Sequence, residues 1–376
     1  MKTLRRLIHR EMLVTVAFVA LAFLGLFSFF DLVEELGDVG RGNPANPYRL
    51  SHASLYTLLW TPSRLYEILP IAVLIGSIIV MARFAQSSEF TILRTSGMGP
   101  WRALRTLLAL GLAFTLLTFA VGDYLAPATT RAAQLLKARH TGQITVGQTG
   151  AWLKEKQKFT SFAVNVGALA EGGAMRNIKI FEFNSKGLMV SSTQAQSGTF
   201  GTDAAWLLQG VERSDFFLNS DTTKDVVHTA RVQHTSMAKD YRWPTELNAE
   251  MVSVALLKPE RMGTLDLYQY TQHLQANGQS SQRFEIEFWR KVFYPLSCLV
   301  MVVLALPFAY LHFRSSSISG YVFMGVMIGI SFFLLNNVFG YAGNLNNWKP
   351  WISAAIPGLL YSLASLAAFS WLVLRH

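Results

Sequence analysis

The basic residues that could bind an anion lie beside long apolar segments. Arg131, Lys137 and Arg139 follow one another within nine residues. On a helix, Arg131 and Arg139 would lie about 80° apart and share a broad face, while Lys137 lies on another side. Basic groups at a membrane surface attract anionic headgroups by about 1 kcal/mol per charge. The pattern predicts attraction of an anionic lipid, with ordinary anchoring of these side chains at phospholipid phosphates as the alternative.

Two further arginines, Arg64 and Arg290, stand at the ends of other apolar segments. Arg64 lies three residues before Glu67, a spacing that lets the two side chains pair on one helix face. For Arg64, a ligand role and a helix-end pair are both open. Arg290 and Lys291 would lie near the level of headgroup phosphates.

Motifs of the common catalytic centres do not occur in the sequence. There is no GxxxxGK[ST] phosphate loop, so we expect this chain not to hydrolyse ATP itself. There is no HExxH, GxSxG or CxxC motif either, and Cys298 is the only cysteine. His228 and His234 could share one face of a strand, but the pattern offers no further metal ligands. We predict no catalytic residue, no metal site and no cofactor bound by this chain.

Six apolar segments are long enough to cross a membrane as helices. Of the 376 residues, 51% are hydrophobic and only 15% are charged, against about 25% charged in a soluble domain. About 20 apolar residues span the hydrocarbon core. We predict spans over 12–30, 65–82, 103–122, 292–311, 320–340 and 351–374.

The distribution of Lys and Arg predicts the orientation of these spans. Short cytoplasmic loops are rich in both residues. The segments 1–11 and 83–105 contain four basic residues each, whereas 31–38 contains four acidic ones. We therefore expect both termini in the cytoplasm. The long segment 123–287, with a net charge of +1, is expected on the opposite side.

That long segment has the alternating pattern of β-strands. Apolar residues alternate over 177–183 and 205–211, and turn clusters separate such segments. Short strands at this spacing predict an antiparallel sandwich or roll, joined to the spans by helices over 123–139 and 264–276. The predicted domains are 1–139 with three spans, 140–262 with the strands, and 263–376 with three spans. We expect 140–262 to fold on its own.

A short amphipathic helix is predicted in the cytoplasmic connection near 86–97. A serine at 87 or 88 can cap it, Glu89 lies in its first turn, and Gly97 can end it. Phe90 and Leu93 fall on the same side as Gly97. This arrangement suits docking to a cytoplasmic partner, with an ordinary interfacial helix as the alternative.

The first and fifth spans could form a lateral gate and the wall of a cavity. Phe27 and Phe30 are among the aromatic residues of the first span, and Gly325 and Gly329 in the fifth permit close helix contact. A contact held by dispersion alone opens and recloses at little cost. Ordinary packing of the two glycines within the chain is an equally weighted alternative.

Several motifs resemble the YjgP/YjgQ permease family, the two membrane subunits of the lipopolysaccharide export ABC transporter. They lie at 69–76, 85–89, 94–98, 122–127 and 288–296, and the resemblance covers the whole chain. The residues at 86–89 and 94–97 resemble the LptG branch of the family more than the LptF branch. The family resemblance implies an α-helical integral membrane protein with six transmembrane helices and an inserted periplasmic antiparallel β-jellyroll domain.

The resemblance also implies a function and partners. The chain would be a permease subunit in the inner membrane of a Gram-negative bacterium, and would extract lipopolysaccharide from the outer leaflet. Its partners would be an LptF-like permease, an LptB-like ATPase dimer that binds ATP and Mg²⁺, and an LptC-like single-span protein. An LptF-type subunit and a non-transporting scaffold or sensor are the alternatives. A secondary transporter would need ionisable groups or broken helices at the midplane, which the spans lack.

Individual residues take roles from the same resemblance. Glu89 matches the glutamate that inserts into the ATPase, with Phe90, Leu93 and Arg94 around it. Lys137 matches a basic residue at the mouth of the lipid cavity.

This chain departs from the family pattern at the end of the first span. Where many LptG sequences carry lysines, it has Asp31, Gly37 and Asp38. We expect Arg41, Arg64 or Arg290 to compensate.

Overall fold

The computed structural model describes residues 2–40, 47–86, 100–141, 150–157, 159–169, 174–201, 204–217, 231–247, 251–252, 259–309 and 318–375. Three spans come first in the chain. α1 (Lys2–Leu36) and α2 (Leu50–Gln86) are long helices. α3 (Pro100–Ala120) continues through a π-helical turn at Val121–Leu125 into α4 (Ala126–Thr141).

The second span begins earlier than the sequence suggested. We predicted this span over 65–82, whereas the helix α2 starts at Leu50 and contains both Pro62 and Pro70. Proline is tolerated inside spanning helices because neighbouring groups can satisfy the freed backbone carbonyls.

Six strands between the third and fourth spans form a single antiparallel sheet. They lie side by side in chain order, each antiparallel to the next. They are β1 (Ala151–Lys156), β2 (Thr160–Leu169), β3 (Met175–Asn184), β4 (Met189–Phe200), β5 (Ala205–Phe217) and β6 (Arg231–Pro244).

This strand order confirms an antiparallel β domain, but it is the order of a meander. The crossover connections of a jellyroll do not occur among the described strands. Short turns such as that at 185–188 pair each strand with its neighbour in sequence, as expected for hairpin connections.

The sheet curls so that its first and last strands meet. Thr245, directly after β6, donates a hydrogen bond to Glu155 of β1. The rings of Phe162 on β2 and Trp243 on β6 lie 5.6 Å apart. The curled sheet thus encloses an apolar core, in agreement with the predicted roll.

A helix after the sheet completes this core. α5 (Thr264–Ala276) lies where the sequence predicted a helix, and its Leu267, Tyr270 and Leu274 are buried in the same cluster as the strand residues. Asn277 at its end accepts a hydrogen bond from the Lys156 N–H of β1, at 2.9 Å. The domain boundary that we predicted after residue 262 therefore separates α5 from a core to which it contributes.

Three spans follow α5. The fourth consists of α6 (Gln282–Phe293), a 3₁₀ turn at Tyr294–Leu296 and α7 (Ser297–Leu304). α8 (Ile318–Leu345) and α9 (Pro350–Arg375) are the fifth and sixth. Pro295 interrupts the fourth span because proline has no N–H to donate. Within the described parts of the chain, six helices are long and apolar enough to cross a membrane, in agreement with the predicted number.

α2 lies at the centre of the helical bundle. Its buried side chains form one apolar core with residues of α1, α3, α7 and α8. Gly76 permits close approach of α1, since a Cβ there would lie 2.6 Å from Val16 Cγ2. α1 and α8 also carry large exposed apolar side chains, such as Phe18 and Phe323. Such faces suit contact with lipid tails or with another spanning protein.

Candidate anion-binding cleft and its ion pairs

Two of the predicted basic residues line one cleft, at the end of the spans that leads into the sheet. The cleft has a volume of about 400 Å³ and lies between α2, the start of α4, α6 and α8. Arg64 comes from α2, and Arg290 with Lys291 from α6. Arg261 comes from the short 3₁₀ turn Pro259–Arg261 that precedes α5.

Arg64 is held by two carboxylates. Its Nε and Nη2 donate to the two Asp31 oxygens at 2.9 and 2.6 Å, the paired geometry that suits a guanidinium and a carboxylate. Its Nη1 lies 3.2 Å from Glu67 Oε2, which confirms the predicted Arg64–Glu67 pair. The Arg64 guanidinium also lies 5.7 Å from the centre of the Phe27 ring.

The two α6 cations bind different partners. Arg290 donates to Glu287 at 3.1 Å and to Asn337 of α8 at 2.6 Å. Lys291 is buried and donates to the carbonyl oxygen of Gly122, at 3.0 Å. Gly122 lies in the π-helical turn, where the altered hydrogen-bond pattern leaves carbonyls available. α6 is thereby fixed to both α8 and the third span.

Lys137 lies outside this cleft and binds carboxylates of α1. Its Nζ is 2.8 and 3.0 Å from the two Glu35 oxygens and 2.8 Å from Asp38 Oδ2. The same Nζ lies 5.1 Å from the centre of the Tyr56 ring. The Tyr48 hydroxyl donates to Glu35 at 3.2 Å, and burial together with the Glu35 charge raises the pKa of Tyr48. Lys137 therefore already has anionic partners within the chain.

Arg131, another member of the predicted basic group, does not join Lys137. Arg131 forms an ion pair with Asp266 of α5, which ties α4 to the helix on the sheet core. Arg139 lies within α4, but its side chain is outside the described part of the structure. The structure thus separates Arg131 from Lys137, as expected from their different sides of the helix.

Sequence reasoning missed two features of this region. Asp31, Glu35 and Asp38 follow one another at helical spacings of four and three, and that periodicity could have shown that they share a face of α1. Arg261 was not singled out at all. Its guanidinium lies 4.4 Å from the centre of the Trp60 ring, and burial lowers its pKa. Because the unperturbed arginine pKa is so high, Arg261 stays charged.

The glycines of the fifth span pack inside the chain. A Cβ at Gly329 would lie 2.7 Å from Ile71 Cγ2, and one at Gly325 would lie 3.2 Å from Ile78 Cδ1. Both glycines therefore face α2, which is the packing within the chain that the alternative described, and the lateral gate stays a prediction. Phe30 is exposed on α1, and Phe27 is half-buried.

Several other predicted residues cannot be placed. Glu89, Phe90, Leu93 and Arg94 lie outside the described residues, as do His228 and the His234 side chain. Among the described residues, no three His, Cys, Asp or Glu side chains are grouped so that they could hold a metal ion.

Comparison with known proteins covers nearly the whole chain. The model of the family described as "Lipopolysaccharide export system permease LptF/LptG" matches residues 6–374. The chain belongs to this family. It is 27% identical over 375 residues to the lipopolysaccharide export system permease protein LptG of Escherichia coli K12, covering 99% of this chain and 98% of that protein. It is 26% identical over 376 residues to LptG of Haemophilus influenzae, with the same coverage. The six spans and the inserted β domain are thus those of an LptF/LptG family permease.

Proposed function

We propose that this chain is the LptG-type permease subunit of a lipopolysaccharide exporter. It would extract lipopolysaccharide from the outer leaflet of the inner membrane and pass it to a periplasmic bridge. The match to the LptF/LptG family over residues 6–374 is the observation that carries this proposal. The relatives cited are both LptG proteins, which favours LptG over its sibling.

The physical character of the chain suits this substrate. Lipopolysaccharide has several acyl chains and a phosphorylated headgroup. The spans expose large apolar side chains on α1 and α8, and basic residues lie at their sheet-side ends. We propose that Arg64, Arg131, Lys137, Arg139 and Arg290 meet the phosphates. Phe27 and Phe30 of α1 would contact the acyl chains.

The proposed orientation rests on the charge of the short loops. Both termini and the 86–97 segment would lie in the cytoplasm, since basic residues are concentrated there. The sheet would then be periplasmic. Its curled shape could serve as an open, jellyroll-like receptacle for the acyl chains.

The chain would work in a complex with three kinds of partner. An LptF-like permease would pair with it, and an LptC-like single-span protein would receive lipid from the complex. An LptB-like ATPase dimer would bind ATP and Mg²⁺ and drive transport, so this chain would not itself be an enzyme. Glu89, Phe90, Leu93 and Arg94 would form the contact with the ATPase.

Purification and reconstitution test the proposal. The tagged chain is isolated from membranes in detergent, and the co-purifying subunits are identified. We expect an ATPase and a second six-span protein. In proteoliposomes, this complex should release lipopolysaccharide to a soluble acceptor only when ATP is present. A chain that purifies without an ATPase and releases no lipid would instead support the scaffold alternative.

Substitution of Glu89 tests the contact with the ATPase separately. Loss of a charge-assisted contact costs about 1.5–3 kcal/mol, so Glu89→Ala should weaken ATPase docking by about tenfold or more. Glu89→Gln controls for side-chain shape. If both variants assembled with the ATPase and exported at the wild-type rate, the proposed coupling role would be wrong.

A further inference from the structure

One cation of the cleft differs from the others in its partners. Arg64 and Arg290 pair with carboxylates, and Lys291 binds the Gly122 carbonyl. Within the part of the chain that the structure describes, Arg261 forms no ion pair. The neighbouring Glu260 pairs instead with Arg283, at 2.8 Å.

Trp60 holds Arg261 in place without using its hydrogen-bond donors. The guanidinium lies over the indole ring, 4.4 Å from its centre. This is a cation–π contact, which needs no hydrogen bond from the guanidinium N–H groups. Those donors match the oxygens of a phosphate in paired geometry. The side chain is thus both fixed in position and able to bind an anion.

The cleft around Arg261 contains side chains of both charges. The carboxylates Glu67, Glu260 and Glu287 line it together with the cations Arg64, Arg290 and Lys291. The existing partners of these cations offset much of their charge, and only Arg261 offers a guanidinium without a carboxylate partner. Partial burial also reduces screening by water, which strengthens its attraction to an anion.

We propose that Arg261, stacked on Trp60, binds a phosphate group of the lipid headgroup in this cleft. This inference rests on the proposed function, since it takes the transported lipid as the source of the phosphate. The turn Pro259–Arg261 directly precedes α5, which packs on the core of the sheet. A phosphate held there would lie where the spans meet the sheet, on the proposed route from membrane to β domain.

Binding of purified lipopolysaccharide to the full chain in detergent tests this role. We expect Arg261→Gln to weaken binding by about tenfold or more, the effect of losing a charge-assisted hydrogen bond. The affinity of the Arg261→Lys variant should lie between those of Arg261→Gln and wild type, because lysine keeps the charge but loses the paired geometry. Trp60→Leu should resemble Arg261→Gln. Arg176→Gln removes an exposed arginine of β3 that does not line the cleft, and should bind as wild type does.

Chemical labelling supplies a second readout, which reports on Arg261 itself. Phenylglyoxal modifies accessible arginines, and the adduct at residue 261 is measured by mass spectrometry. We expect lipopolysaccharide to protect Arg261 at far lower concentrations than inorganic phosphate, and dephosphorylated lipopolysaccharide not to protect it. Equal protection by the lipid and by inorganic phosphate would identify a site for free phosphate and overturn the lipid source.

The outcomes separate this inference from the proposed function. If wild type binds lipopolysaccharide but Arg261→Gln binds it equally well, the role of Arg261 is wrong and the permease function stands. If wild type binds no lipopolysaccharide, the proposed function fails, and with it the lipid source of the phosphate. Absence of protection by every phosphate compound would show that Arg261 is not an anion site.

Discussion

Lys137 of α4 lies between Glu35 of α1 and Asp38 in the turn that follows α1, with its Nζ 2.8 Å from Glu35 Oε1. Asp38 Oδ2 lies 2.8 Å from the same nitrogen. The acidic end of the first span thus supplies counter-ions to a cation for which we proposed contact with lipid phosphates. A phosphate that binds Lys137 must compete with these carboxylates, and its binding would loosen the contact between α1 and α4.

We predict that Glu35→Gln makes Lys137 more reactive and a better anion ligand. Removal of one carboxylate should strengthen protection of Lys137 by lipopolysaccharide about two- to fivefold, since a partly exposed ion pair contributes up to about 1 kcal/mol. Acylation of Lys137 by an amine-reactive ester, with and without lipopolysaccharide, measures both effects. Glu34→Gln is the control, because Glu34 is exposed on the same helix turn. Equal acylation in both variants would contradict the proposed competition.

The Asp31–Arg64 pair should stabilise the helical bundle more than an exposed pair does. Asp31 is 14% exposed, and both of its oxygens accept from Arg64. A double-mutant cycle with Asp31→Asn and Arg64→Gln, followed by unfolding in detergent, should give a coupling energy of about 1–3 kcal/mol. The control pair, Glu11–Arg83, is more exposed and makes one contact of 3.3 Å. The coupling energy of this control pair should be below about 1 kcal/mol. Equal coupling energies for the two pairs would contradict the prediction.

The sequence predicted those parts of the fold that depend on local pattern. Six spans follow from the length of apolar runs, and the antiparallel sheet follows from alternation with short turns. The glycines at 325 and 329 predicted a close helix contact. They could not identify the partner helix, since a stripe of small residues fits any partner. In the structure, that partner is α2.

The ion pairs could not be predicted because they join residues far apart in the chain. Lys137 and Glu35 are 102 positions apart, and only the fold shows that α4 lies beside the end of α1. Arg261 and Trp60 likewise meet only through the tertiary fold. Arg64 with Glu67 was predictable, because both residues lie on one helix turn.

The Asp123 side chain should stabilise the contact between the third span and the β domain. Its Oδ1 accepts a hydrogen bond from the backbone N–H of Thr264, the first residue of α5, at 2.7 Å. We predict that Asp123→Ala lowers the free energy of unfolding by about 1 kcal/mol, as loss of a helix cap does. Hydrogen exchange of the first α5 amides should accelerate in this variant. Asp123→Asn keeps an acceptor oxygen and should preserve most of the protection. Unchanged exchange in Asp123→Ala would show that the contact does not hold α5.

The independently folding unit should be residues 150–278 rather than 140–262. Leu267, Tyr270 and Leu274 of α5 are buried in the sheet core, and each such side chain contributes about 1.5–3 kcal/mol. Together they rival the whole stability of a typical domain, about 5–15 kcal/mol. We expect the longer fragment to unfold cooperatively and resist thermolysin, and the shorter one to be digested rapidly. Leu267→Asp in the longer fragment is a matched test, because it retains the chain length but buries a charge in the core. Should 140–262 prove as stable as 150–278, α5 would be a covering element and not part of the folding unit.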